Sequence, residues 1–235
     1  MSVTKISKDL RKNANKEKAL ILQSFFKTGK GQYGEGDIFF GLTVQQTRII
    51  AKKYSNLKFD HLSKLLISKI HEERLCALLI LVHNYENSTN KIERLKNFNF
   101  YLRKMKFINN WDLVDLSADK IVGKHLIDKD KSILYKLASS NNLWERRIAI
   151  VSTFNFIKNN QFNDTLKISK ILINDKHDLI HKAVGWMLRE IGKRNIEILE
   201  AFLKKNYKNM PRTMLRYAIE RFPDEKRKAY LKGEI

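Results

Sequence analysis

Apolar residues recur along the whole chain at spacings of three and four. Leu65, Leu66 and Ile70 form one such set, and Leu75, Leu78, Leu79 and Val82 another. That period returns side chains to one helix face, so it predicts amphipathic helices. No convincing alternating run predicts a strand. Polar breaks at Asn84 to Asn90, Ser139 to Asn142 and Lys208 to Pro211 separate the helices. The scarcity of proline (2 residues) and glycine (9) agrees with a mostly helical chain.

A looser repeat underlies the helices. Ala77, Ala118, Ala149, Ala183 and Ala218 each follow a similar approach, at spacings of 41, 31, 34 and 35 residues. Helix pairs at about this period predict an all-α fold, an α-solenoid of HEAT-like helical repeats with a concave basic groove. A helix pair cannot bury its apolar face alone, and small alanines let stacked helices approach. A generic helical bundle, in which alanine is also common, gives a similar pattern. If the alanine-bearing helices line the groove, residues far apart in sequence face one surface. The whole of 1–235 reads as one domain.

Five of the nine glycines lie in GKGQYGEGDIFFG, from Gly29 to Gly41. Gly29, Gly31 and Gly34 match the G-x-G-x-x-G dinucleotide pattern. That motif needs a strand before it and a helix opening at its end, and here the helical segment Ala19 to Phe26 precedes it. A tight loop between helices, with glycines at positive φ, fits better. Tyr33, Ile38, Phe39 and Phe40 are its expected anchors. Lys30 and Tyr33 are also placed to reach a DNA backbone or base.

Lys+Arg totals 46 against 25 Asp+Glu, a formal net charge of +21. Such a chain attracts nucleic acid, because neutralised phosphates release counterions. A Lys-rich solvated surface gives the same count. The basic residues are spread out and not gathered on one amphipathic helix, which argues against a membrane surface. A single cysteine, Cys76, allows no internal disulfide and suggests a reducing compartment. It falls on an apolar helix face, as a small core residue would. With no signal core and no apolar stretch of spanning length, a soluble cytoplasmic protein is expected.

Trp111 and Asp115 are four residues apart, on one helix face. Asp115 sits among Leu113, Val114 and Leu116, where an acid needs a partner. It is either a functional carboxylate or half of a structural pair with Arg146 or Arg147. Asp112 points elsewhere, towards capping the helix after Asn109 and Asn110. Arg146 and Arg147 point in different directions, one suited to an acid across the stack and one to a phosphate. Trp186 is a core residue or, beside Gly185 and Arg189, a surface open to close approach. His177 and His181 lie one turn apart but lack the third ligand a zinc site needs. His177 is expected in the first turn after a cap at Asn174 or Asp175.

Six segments, KTGKGQYGEGDIFFGL, HEERLCALLIL, NNWDLVDLSA, NLWERRIAI, HKAVGWMLREIGK and MPRTMLRYAIERFP, resemble the DNA alkylation repair family of HEAT-like glycosylases, the AlkD type. They run in order over nearly the whole chain. The resemblance implies an enzyme that releases 3-methyladenine and 7-methylguanine from double-stranded DNA. It implies Asp115 as the catalytic carboxylate, with Trp111, Arg147 and Trp186 completing the site. Gln45 stands where relatives often have Pro, and Asn110 where some have a second Trp. Neither is expected to touch the four site residues.

The chemistry suits these residues. Alkylation at N3 or N7 makes the purine cationic and a fair leaving group, so no general acid is required. The oxocarbenium-like transition state calls for a carboxylate near C1′. Tryptophan faces attract a cation by about 0.5–2 kcal/mol each. Arg147 and the further expected DNA contacts Lys30, Tyr33, Lys182, Arg189 and Arg212 would hold the backbone. No metal or organic cofactor is called for, and a monomer suffices. The competing reading is a non-catalytic HEAT-repeat scaffold that recognises distorted duplex.

Overall fold

The computed structural model describes residues 3–235. The fold is all-α. Among the described residues the one strand-like feature is a single bridge between Ile38 and Ile70. The chain divides into two compact units, the first ending at Ile121 and the second running Val122–Ile235.

The first unit contains α1 (Val3–Lys12), α2 (Lys16–Phe25), α3 (Val44–Lys53), α4 (Phe59–Leu66), α5 (His71–Asn87), α6 (Lys91–Lys104) and α7 (Trp111–Asp115). A 3-10 turn, Met105–Phe107, precedes α7. α5 is the axis of the unit and packs against α1, α3, α4, α6 and α7. It is buried on nearly every side, which explains why its apolar residues are not confined to one stripe. Leu62, Leu65 and Leu66 of α4 and Ile6 and Leu10 of α1 close the core around it. α3 opens with a capping box, Thr43 and Gln46 each satisfying the other's backbone. Two boundaries differ from expectation. Ile70 does not continue α4: it caps α5 and pairs with Ile38. α5 runs through Asn84 to Asn87, so the break begins at Ser88.

The second unit contains α8 (Lys124–Leu126), α9 (Ser132–Ala138), α10 (Leu143–Ser152), α11 (Phe154–Lys158), α12 (Asn163–Ile171), α13 (Asp178–Gly192), α14 (Ile196–Asn206), α15 (Arg212–Ala218) and α16 (Asp224–Lys232). Here α13 is central and packs on α10, α11, α12, α14 and α15. Ile148, Val151, Ile180, Val184, Met187, Leu188 and Met214 fill the core. A five-residue π-helical turn, Asp119–Gly123, spans the boundary between the units.

All five repeat alanines are buried, as close helix packing requires. Ala118 is helical at a single position, between the turn that follows α7 and the π-helical turn, outside the numbered helices. None of the helices among the described residues is long and apolar enough to cross a membrane.

Candidate active site

The residues expected to act fall two in each unit, and each pair is held by its own surroundings. In the first unit Trp111 opens α7 and Asp115 closes it, both half-buried. Asn110 caps this helix, its amide oxygen accepting the Trp111 N–H at 2.8 Å. Its Nδ2 donates to Asp37 Oδ2 at 3.2 Å. Asn110 therefore does touch a site residue, contrary to the expectation from sequence.

The Trp111 ring ends an aromatic pile. It lies on Phe26 (centroids 5.0 Å apart, planes 8° from parallel), which lies on Phe39 (5.0 Å, 29°). Phe39 in turn lies on the ring of His71 (4.5 Å, 21°). Phe25, well exposed, meets Trp111 edge-on.

Beneath the pile lies a buried polar cluster that the sequence did not announce. His71 Nδ1 faces Asp37 Oδ2 at 3.2 Å, and its Nε2 faces Asp112 Oδ2 at 2.7 Å. Arg74 Nη2 donates to the same Asp37 oxygen at 2.6 Å, and its Nη1 to the Ser68 carbonyl at 3.0 Å. Asp112 Oδ1 accepts the Leu113 N–H. Asp112 is thus not chiefly a cap: it is the buried acid of α7, and Asp115 the more open one. Burial opposes ionisation of Asp37, but hydrogen bonds and charge from His71 and Arg74 win and hold its carboxyl below the ordinary range.

The same cluster orders the glycine loop. Glu72 Oε1 and Oε2 accept the N–H groups of Phe40, Gly41 and Leu42 at 2.8–3.1 Å. Ile38 exchanges backbone bonds with Lys69 and His71. Phe39 anchors the loop as expected, whereas the Ile38 side chain is half exposed and does not. Two glycines are required by space. A side chain at Gly34 would lie 2.4 Å from the Phe26 carbonyl, and one at Gly41, at φ +87°, 2.2 Å from the Asn15 carbonyl. Tyr33 is half-buried, its hydroxyl 3.5 Å from the Phe25 carbonyl, and Lys30 is exposed.

In the second unit Arg146 and Arg147 do separate work. Arg146 Nε donates to Asp175 Oδ2 at 2.6 Å, and Nη1 to the Ser140 carbonyl. Arg147 is only 5% exposed and donates from Nη1 to the Leu179 carbonyl, tying α10 to α13. Trp186 is half-buried on α13 and tilted against Phe154 of α11 at 5.6 Å, with Lys158 Nζ 4.1 Å from the Phe154 ring centre. Gly185 has a different purpose from that expected. A side chain there would lie 2.5 Å from both the Met214 carbonyl and Tyr217 Cβ, so this glycine lets α13 and α15 cross closely.

The other expected DNA contacts already have protein partners. Lys182 Nζ pairs with Asp178 one turn earlier at 2.8 Å. Arg189 pairs with Glu220, and Arg212 donates to the Leu231 carbonyl. His177 is itself the cap of α13, accepting the Leu179 N–H, while Asp175 accepts the His177 N–H. His181 bonds the Asp175 carbonyl through Nε2. Cys76 is fully buried, and burial pushes its thiol up to about 12.

The family model for DNA alkylation repair enzymes matches residues 6–222. This chain belongs to the DNA alkylation repair enzyme family. The fold agrees with that membership. A protein from Enterococcus faecalis, described as a predicted DNA alkylation repair enzyme, superposes with a TM-score of 0.67. It is 17% identical, over 90% of this chain and 97% of that one. No curated protein matches the sequence. As a DNA alkylation repair enzyme, the chain has a natural use for its net charge of +21, since its polyanionic partner is drawn by long-range attraction.

Proposed function

We propose that this protein is a DNA glycosylase that releases cationic alkylated purines, such as 3-methyladenine and 7-methylguanine, from duplex DNA. The observation that carries this reading is the half-buried Asp115, one turn from Trp111 on a helix fixed by buried contacts, in a basic member of a repair family. A carboxylate so held stabilises positive charge at C1′ without reorganising during the reaction. The glycosidic electrons leave with the base, which departs neutral. Water adds to C1′ and gives up a proton. Because the leaving base carries its own charge, the site needs no second acid.

Trp111 and Trp186 offer ring faces to the cationic base or the sugar. Arg147 holds a backbone phosphate. With Nη1 of the buried Arg147 committed to Leu179, the half-buried Lys182 and exposed Lys30 are the more open cations. The expected state is a monomer acting in the cytoplasm.

The test is incubation with methylated duplex DNA and quantification of free bases, with added chelator. Release of 3-methyladenine or 7-methylguanine above the uncatalysed rate, lost in Asp115→Asn, is the expected result. Salt-sensitive duplex binding with no base release would instead make the protein a non-catalytic scaffold.

A further inference from the structure

The buried charges beneath Trp111 take part in no step of that reaction, yet they surround a single ring. We propose that His71 is a positioning residue, a doubly hydrogen-bonded imidazolium that ties Asp37 of the glycine loop to Asp112 of α7 and so fixes Trp111 and Asp115 for base excision. Only its last clause rests on the glycosylase reading.

The geometry suits the charged ring. Both nitrogens face carboxylate oxygens, at 3.2 Å and 2.7 Å. An ionised carboxylate only accepts, so both contacts need an N–H, and only imidazolium has two. The charge balance agrees. Asp37 faces the ring from the loop, Asp112 from α7 and Arg74 from its own helix. Nearby Glu72 is occupied by the loop N–H groups. With the ring protonated, two anions meet two cations. With it neutral, the buried cluster carries an uncompensated negative charge. Burial disfavours the charged ring, but Asp112 and Asp37 outweigh both burial and Arg74, raising His71 to about 9.

The consequence runs to the site through two routes. Five-residue α7 is too short to stand by itself, so its contacts decide where it sits. His71 grips Asp112, the residue next to Trp111. Its ring also supports the Trp111 indole through Phe39 and Phe26, both within 5.1 Å of it. Asp115 follows one turn on. Gripping the helix at its start orients the carboxylate at its end.

The test uses the full chain carrying His71→Gln, which can donate to one acid but cannot bridge two. The wild type at neutral pH should show two slowly exchanging imidazole N–H signals, both lost in the variant. With 5-fluorotryptophan, the fluorine resonance of Trp111, assigned through Trp111→Phe, should shift in His71→Gln. Base release should fall about 10- to 100-fold in kcat, with little change in Kd for methylated duplex. The alkaline limb of the wild-type kcat profile, near pH 9, should disappear. A neutral His71 ring at pH 7, or unchanged kcat in a folded variant, overturns the proposal. If His71→Gln does not fold, Asp112→Asn serves: the His71 titration and the alkaline limb should both move to lower pH, and an unmoved limb overturns the proposal. An inactive wild type overturns the glycosylase reading and the last clause together. An active wild type with an indifferent His71→Gln overturns the positioning role alone.

Discussion

Trp111 lies flat on Phe26, 5.0 Å between ring centroids and 8° from parallel. The orientation of the indole is therefore set by the protein's own core before anything docks on it. Such preorganisation removes a cost that binding would otherwise bear. Phe26→Leu keeps a smaller apolar side chain and deletes the stack. It should lower stability by about 1 kcal/mol in urea denaturation and slow base release under single-turnover conditions. Unchanged turnover would show that the stack is structural only.

Asp115→Asn preserves shape and removes charge. Base release should fall roughly 100- to 1000-fold, with melting temperature and duplex affinity retained. A loss of affinity equal to the loss of rate would point to a binding role instead.

The neighbouring arginines separate by assay. Arg146→Ala breaks a partly buried pair with Asp175 and should cost about 2 kcal/mol of stability. The salt dependence of duplex binding should stay as it was. Arg147→Lys keeps the charge but loses the fork that reaches Leu179. It should reduce duplex binding and turnover, and unchanged values for both would remove Arg147 from the site.

Stability should fall on the alkaline side. The His71 value is raised from 6.5 to about 9 in the folded protein. Its contribution is fully present below pH 6.5 and is lost as pH rises through 9. The linked loss is about 3 kcal/mol, read from urea unfolding at pH 6 and pH 10, and it should vanish in His71→Gln. Asp37 works in the opposite sense. Its lowered value contributes stability above its unfolded pKa, lost as pH falls through the folded one.

Gly185→Ala places a methyl 2.5 Å from the Met214 carbonyl and from Tyr217 Cβ. Backbone cannot yield as a flexible side chain can, so α13 and α15 must separate. A loss of about 1–3 kcal/mol is expected, seen as a lower Tm. An unaltered Tm would mean that the crossing is loose.

The recurrence of Ala77, Ala149, Ala183 and Ala218 predicts closely packed helix faces, and all four are buried on helices. The spacing of Trp111 and Asp115 predicts one helix for both, and α7 carries both. The division of labour between Asp112 and Asp115 was not readable. Both look like acids on a helix, and only the approach of His71, 41 residues earlier, makes Asp112 the buried one. Asp37 and Asn110 meet across 73 residues, and nothing local marks either as a partner. The need for glycine at 185 is not local either, because the neighbour it makes room for comes from α15.

Helicity and the burial of one face are local properties. They follow from a backbone period of about 3.6 residues, so the hydrophobic pattern alone carries them. The order of the family's segments is likewise written in one dimension, and membership followed from it. Pairing among buried polar groups has no period. It depends on which charges the folded chain brings within about 3 Å in a place without water. Only tertiary structure could therefore assemble Asp37, His71, Arg74, Asn110 and Asp112 under Trp111, give Arg146 to Asp175, and turn Arg147 inward to Leu179.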